Sequence, residues 1–117
     1  MPRDWRLYVD DILEAIGRIR EYVAGYDGDA FAADRKTQDA VVRNLEIIGE
    51  ASRRLPEEVL ALAPEVEWRK IVGLQSVLAH EYFGINASIV WDIVVNKLGP
   101  LERACRTIMD RLDGEAR

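Results

Sequence analysis

The chain of 117 residues has one histidine, one cysteine, four prolines and two phenylalanines. A lone cysteine, Cys105, cannot close an internal disulfide, and no cysteine–histidine spacing suggests a metal cluster. Neither a metal nor a cofactor is expected, and the cysteine usage fits a reducing cytoplasm. No apolar run approaches the roughly 20 residues a membrane span needs. No apolar h-region follows Met1-Pro2-Arg3-Asp4-Trp5-Arg6, so a secretory signal is not expected. Positive charge is also scarce: 16 lysines and arginines face 21 acidic residues, a net charge of −5. Proteins that grip many phosphates are usually basic. Any contact with RNA must therefore come from a local cluster, within one subunit or between two.

What is present reads as a helical domain. The chain is 49% apolar and 32% charged, a globular composition with enough apolar residues for one core. The whole length, 1–117, fits one domain, with 113–117 expected as a frayed tail. Tyr8, Ile12, Ala15, Ile16, Ile19, Tyr22, Val23 and Tyr26 recur at helical spacing, predicting a first helix over 4–26 with Asp4 as its N-cap. A loop over 29–34 should tuck Phe31 onto the core. A second helix is predicted over 34–55, with Val41, Leu45, Ile48 and Leu55 inward. A short helix over 56–63 follows Pro56. The next runs over 67–83, with Gly84 as C-cap. Asn86 caps a last helix to Leu112, kinked or split at Gly99-Pro100. No strand alternation and no repeat is seen. An all-α, up-and-down bundle of four to five helices follows.

The helix over 67–83 holds the chemistry. His80 carries the one unperturbed side chain that titrates near neutral pH. At about 100° per residue, Gln75, Ser76 and His80 can surround Ala79 while Ile71, Leu74 and Leu78 turn toward the core. By spacing alone the same residues read more readily as ordinary structure. A histidine near a helix end can be a cap or a surface group. Tyr82 can be a core-edge aromatic. Arg35, Asp39, Arg43, Glu46 and Glu50 form a face whose plain reading is a ladder of ion pairs.

Several separated blocks resemble one family. Asp10-Asp11-Ile12-Leu13-Glu14-Ala15-Ile16 is similar to its first helix. The block from Asp34 to Ala51, with Arg43-Asn44-Leu45-Glu46-Ile47-Ile48-Gly49-Glu50, is similar to its second. Trp68-Arg69-Lys70-Ile71 and His80-Glu81-Tyr82-Phe83-Gly84 resemble its signature helix. The family is HepT: toxin ribonucleases of the HEPN superfamily, with an Arg-x4-His-x-Tyr motif. The resemblance implies a HEPN-like homodimer with its site in a cleft between two signature helices. It implies metal-independent RNA cleavage, with His80 as general acid or base, and Arg43, Asn44 and Glu50 as cleft-lining candidates. It also implies a partner, an MntA-like nucleotidyltransferase antitoxin that silences the toxin by attaching AMP to Tyr82. The system is of the type VII-like toxin–antitoxin kind.

One residue departs from the motif. Where the family has arginine this chain has Gln75, and Ser76 stands where asparagine is usual. Glutamine can hydrogen-bond a phosphate oxygen but brings no charge to the transition state. Activity is therefore expected to be impaired unless another arginine substitutes, Arg43 or Arg69 being the nearest candidates. The alternative is an inactive HEPN dimer that serves as binding partner or modification substrate of the nucleotidyltransferase.

Overall fold

The computed structural model describes residues 4–80 and 86–115, with the backbone alone at 75–80 and 114–115. Every element among the described residues is helical. Helix α1 spans Trp5–Tyr22, and the Asp4 carboxylate caps it by accepting from the Arg6 N–H at 2.9 Å. It stops short of Tyr26 because the chain turns at Gly25, where φ is +80°, a left-handed conformation that glycine adopts at little cost. Freed from the helix, Tyr26 donates its hydroxyl hydrogen to Asp34.

The expected loop over 29–34 is mostly a short helix, α2, Gly28–Ala32. Its two ends are satisfied by side chains: Asp27 accepts from Ala30 N–H at 2.8 Å, and Gln38 Nε2 donates to the Phe31 and Ala32 carbonyls at 2.8 and 3.1 Å. Five residues are too few to show periodicity. Phe31 does reach the core and stacks on Trp91, ring centroids 5.1 Å apart. A Cβ on Gly28 would lie 3.3 Å from the Trp91 ring, so glycine here permits the close approach.

Helix α3 spans Arg35–Arg53, capped by Asp34, which accepts from the Thr37 N–H at 3.0 Å. Helix α4, Glu57–Leu60, follows Pro56. Helix α5 spans Trp68–His80. It is anchored at its start by buried Trp68, whose Nε1 donates to the Ala63 carbonyl at 2.9 Å. Its expected end at Phe83 and the Gly84 cap lie outside the described residues. The predicted last helix is two: α6, Ala87–Asn96, capped by Asn86, and α7, Leu98–Glu115. The split falls at Lys97, which leaves Pro100 in the first turn of α7, where a missing N–H is harmless. Residues 113–115 continue α7, and the last two residues of the expected tail, 116–117, lie outside the described residues. The extra turn α2 and the split account for seven described helices where four to five were expected.

The order of packing follows from the apolar faces. Helix α3 lies against both α1 and α5, α7 covers α1, and α6 bridges α2 and α7. Val9, Ile12, Ile16 and Ile19 of α1, Val41, Leu45 and Ile48 of α3, and Leu101, Cys105 and Ile108 of α7 form one core with Phe31. Arg20 and Glu102 join α1 to α7 at 2.8 Å.

The Asp34 cap carries a pH signature. Hydrogen bonds from Tyr26 first, then Thr37, hold its carboxyl below the ordinary 3.8, at about 2. A carboxylate depressed on folding stabilises the fold above its unfolded value and loses that effect as pH falls to the folded one. The cap should therefore weaken between pH 3.8 and about 2. Tyr26→Phe removes the largest cause, so the Asp34 titration, followed by NMR, should move upward and acid unfolding should begin at higher pH. An unchanged Asp34 titration in Tyr26→Phe would contradict this account.

Candidate functional site

The signature residues Gln75, Ser76 and His80 lie on one continuous helix, α5, of which His80 is the last described residue. In the half of α5 whose side chains are described, Trp68 is buried, Ile71, Val72, Gly73 and Leu74 are half-buried, and Arg69 and Lys70 are exposed. The buried side of the helix is thus set by Trp68. At about 100° per residue, Gln75 shares the register of Trp68, while Ser76 and His80 share that of Arg69 and Gly73. Tyr82 lies outside the described residues.

Arg43 and Glu50 line a cleft of about 350 Å³ between α1 and α3, with Tyr8 and Asp11 of α1 and Glu46, Ile47, Ala51 and Arg54 of α3. The charges on its α3 wall are largely paired. Arg43 approaches Glu46 at 3.7 Å, and Glu50 takes Arg53 at 2.7 Å and Arg54 at 3.0 Å. Arg53, then Arg54, hold the Glu50 carboxyl down at about 2. The ladder reading therefore accounts for these charges. Asn44 does not join Arg43 and Glu50. One residue further round α3, it is buried, with Nδ2 donating to the Ala40 carbonyl at 2.9 Å and Oδ1 lacking a hydrogen-bond partner. None of the described residues lining this cleft comes from α5. Among the described residues the three candidates from the second helix are thus separated, two in a cleft with α1 and one in the interior.

Two features escaped the sequence reading. Ser52, about two turns along α3 from Asn44, is fully buried with its hydroxyl oxygen unpartnered among the described residues. Small polar residues inside an apolar stripe carry no signal of burial. A second cavity, about 340 Å³, lies between α5 and the α6–α7 junction, walled by Val66, Ile71, Leu74, Ile93 and Leu101 and edged by Lys70 and Lys97. It faces the side of α5 opposite the register of His80 and exists because the chain breaks at Lys97. Cys105 is buried, and burial pushes its thiol up to about 12, so it is no nucleophile at neutral pH. No described helix is long and apolar enough to cross a membrane.

The family described as ribonuclease HepT-like matches residues 12–108. The chain is 41% identical over 116 residues to a candidate RNase of Methanocaldococcus jannaschii, covering 98% of this chain and 96% of that protein. It is 39% identical over 102 residues to the probable ribonuclease HepT of Thermococcus cleftensis, covering 87% of this chain and 93% of that one. A candidate RNase of Caldanaerobacter subterraneus is 36% identical over 106 residues, with 91% and 95% covered. No solved structure matches the chain at a significant level. The chain belongs to the HepT-like ribonuclease family of HEPN proteins.

The ion-pair ladder predicts a small, pH-dependent effect. Glu50→Gln should lower stability at neutral pH by about 1 kcal/mol or less, as solvent-exposed pairs do. Because the Glu50 carboxyl is depressed from 4.5 to about 2, the difference from the parent should fade as pH drops through that window. Urea unfolding of both proteins at neutral and acid pH measures it, and a difference that persists at the acid end would mean Glu50 acts through packing instead.

Proposed function

We propose that this chain is the toxin subunit of a type VII-like toxin–antitoxin pair, a metal-independent RNA endonuclease of the HEPN type whose activity is impaired by Gln75. The observation that carries the proposal is family membership together with His80, the only histidine, on the helix that bears the signature. In this chemistry a ribose 2′-hydroxyl attacks the adjacent phosphorus and the 5′-oxygen leaves. His80 accepts the hydroxyl proton or delivers one to the leaving oxygen. The phosphate charge that builds up needs a cation, and position 75 does not supply one. The active unit is a homodimer in the cytoplasm, with the two signature helices walling one cleft.

The antitoxin is an MntA-like nucleotidyltransferase. The Tyr82 hydroxyl attacks the α-phosphorus of ATP, pyrophosphate leaves, and AMP remains on the tyrosine. The added negative charge and bulk next to His80 repel RNA. Gln75 favours one other reading, in which the chain is an inactive dimer that only binds the nucleotidyltransferase or serves as its substrate.

Gln75→Arg separates the two readings. A single preorganised donor at a developing charge is worth on the order of 100- to 1000-fold in rate. The variant should cleave RNA at least about 100-fold faster than the parent, and His80→Ala in the same background should abolish the gain. Equal rates for parent and variant would remove Gln75 as the cause of impairment.

Tyr82 should be the modified residue. Mass spectrometry after incubation with a cognate nucleotidyltransferase and ATP should find AMP on the peptide that contains Tyr82, and none after Tyr82→Phe. AMP on a different peptide with Tyr82 bare would refute the assignment.

A further inference from the structure

In a chain with net charge −5, an arginine without a carboxylate partner is conspicuous. The arginines of α1 and α3 are held by carboxylates: Arg18 by Glu14, Arg20 by Glu102, Arg35 by Asp39, Arg43 by Glu46, and Arg53 and Arg54 by Glu50. On α5, Lys70 is taken by Glu67 at 2.9 Å. Arg69, beside it, is exposed and makes no ion pair among the described residues; Arg103 and Arg111 of α7 share that condition, but Arg69 is the arginine on the signature helix.

Its position on the helix gives this meaning. At about 100° per residue, Arg69 and His80 fall within roughly 20° of each other on α5, three turns apart. Gly73 lies between them on the same arc, and a Cβ built there meets nothing within 4 Å. The described part of this arc is therefore a cation followed by open space beside bare backbone, leading toward the register of His80. The axial separation is about 16 Å. That is too far for Arg69 to touch the phosphate His80 would act on, so Arg69 is no replacement for the motif arginine. It is a reasonable distance for a phosphate further along the same strand.

We infer that Arg69 and the open surface at Gly73 form an RNA subsite, in which Arg69 grips a backbone phosphate several nucleotides from the scissile one and the strand runs past Gly73 toward His80. The inference rests on the proposed ribonuclease reading and adds the path of the substrate to it. A guanidinium suits the task because it forks onto two phosphate oxygens and stays charged. The contact is to the backbone, so it confers affinity and register without base preference.

The test is equilibrium binding of a fluorescent single-stranded RNA of about 12 nucleotides to the full chain at several salt concentrations. Each phosphate contact on a single strand contributes about 0.7 to the slope of log K against log salt. Arg69→Ala should weaken binding several-fold and reduce the slope by about that amount, while Lys36→Ala, an exposed cation on α3, should leave both near the parent values. Gly73→Leu has room in the fold and replaces a poor helix former, so it should raise the thermal midpoint while weakening RNA binding. If the parent binds RNA and Arg69→Ala or Gly73→Leu binds equally well, the subsite is wrong and the ribonuclease reading stands. Equal weakening by Lys36→Ala would show a general charge effect and overturn the subsite too. A parent that binds no RNA sinks both.

Discussion

Helix α3 is packed on two sides, by α1 and by α5, and most of the molecule is arranged around that fact. A helix with two neighbours must bury more than a narrow stripe. Val41, Val42, Leu45 and Ile48 supply the apolar bulk, and Gly49, Ala51 and Ser52 supply small side chains that let neighbouring backbones come near. What remains for solvent is one arc, and it is filled by Arg43, Glu46, Glu50 and the arginines that follow. Charges confined to one arc at helical spacing find each other before they find a ligand. The ion ladder on α3 is thus a consequence of double packing. Asn44 shows the same constraint from the inside. It sits just past the exposed arc, so the packing that leaves Arg43 in solvent takes Asn44 into the interior with one oxygen unpaired.

The same local pairing bears on nucleic-acid binding. An acidic chain that ties most of its described arginines to carboxylates offers RNA few free cations. Affinity must then come from a handful of contacts, close to the reacting group and sensitive to salt. Such a protein meets its substrate at one small place rather than over a basic face. In the proposed reading that place is α5, the helix that carries His80.

Much of the fold was legible because helix ends are local chemistry. Asp4, Asp34 and Asn86 each precede an apolar periodic run, and each caps its helix through a backbone N–H. Phe31 was legible as an inward aromatic, yet its element was not, since a single helical turn has no period to read. It is held by Gln38, which reaches back from the next helix to the Phe31 and Ala32 carbonyls. No propensity of residues 28–32 announces that help. At the last helix Gly99-Pro100 signalled a break, but proline tolerates a first turn and so could not say that the chain would part at Lys97. The cavity beside α5 depends on that parting, and two apolar surfaces distant in sequence must meet before it exists. Of the candidate site, the helix and the order of its residues were legible, because a motif on one helix needs only its rise and turn. The placement of Arg43, Asn44 and Glu50 was not, because burial on α3 is decided by its two neighbours.

The departure at position 75 can be weighed by the same geometry. Residues 75 and 80 lie roughly 140° apart around α5. Position 75 follows the side anchored by buried Trp68, while position 80 follows the side of exposed Arg69. One isolated helix therefore does not aim both positions at a single phosphate. For an arginine and a histidine so placed to act together, a second wall must fold the substrate over the helix edge, which is the role the proposed homodimer gives to the other signature helix. If two copies pair in the proposed way, with position 75 of one chain facing position 80 of the other, a glutamine there would remove a charge from both composite sites at once. In such a pair the single change at position 75 would act twice, whereas Arg69, on the same side as His80, keeps its relation to the histidine within each chain. Substrate holding is thus a property of one helix in this reading, and transition-state stabilisation a property of the pair.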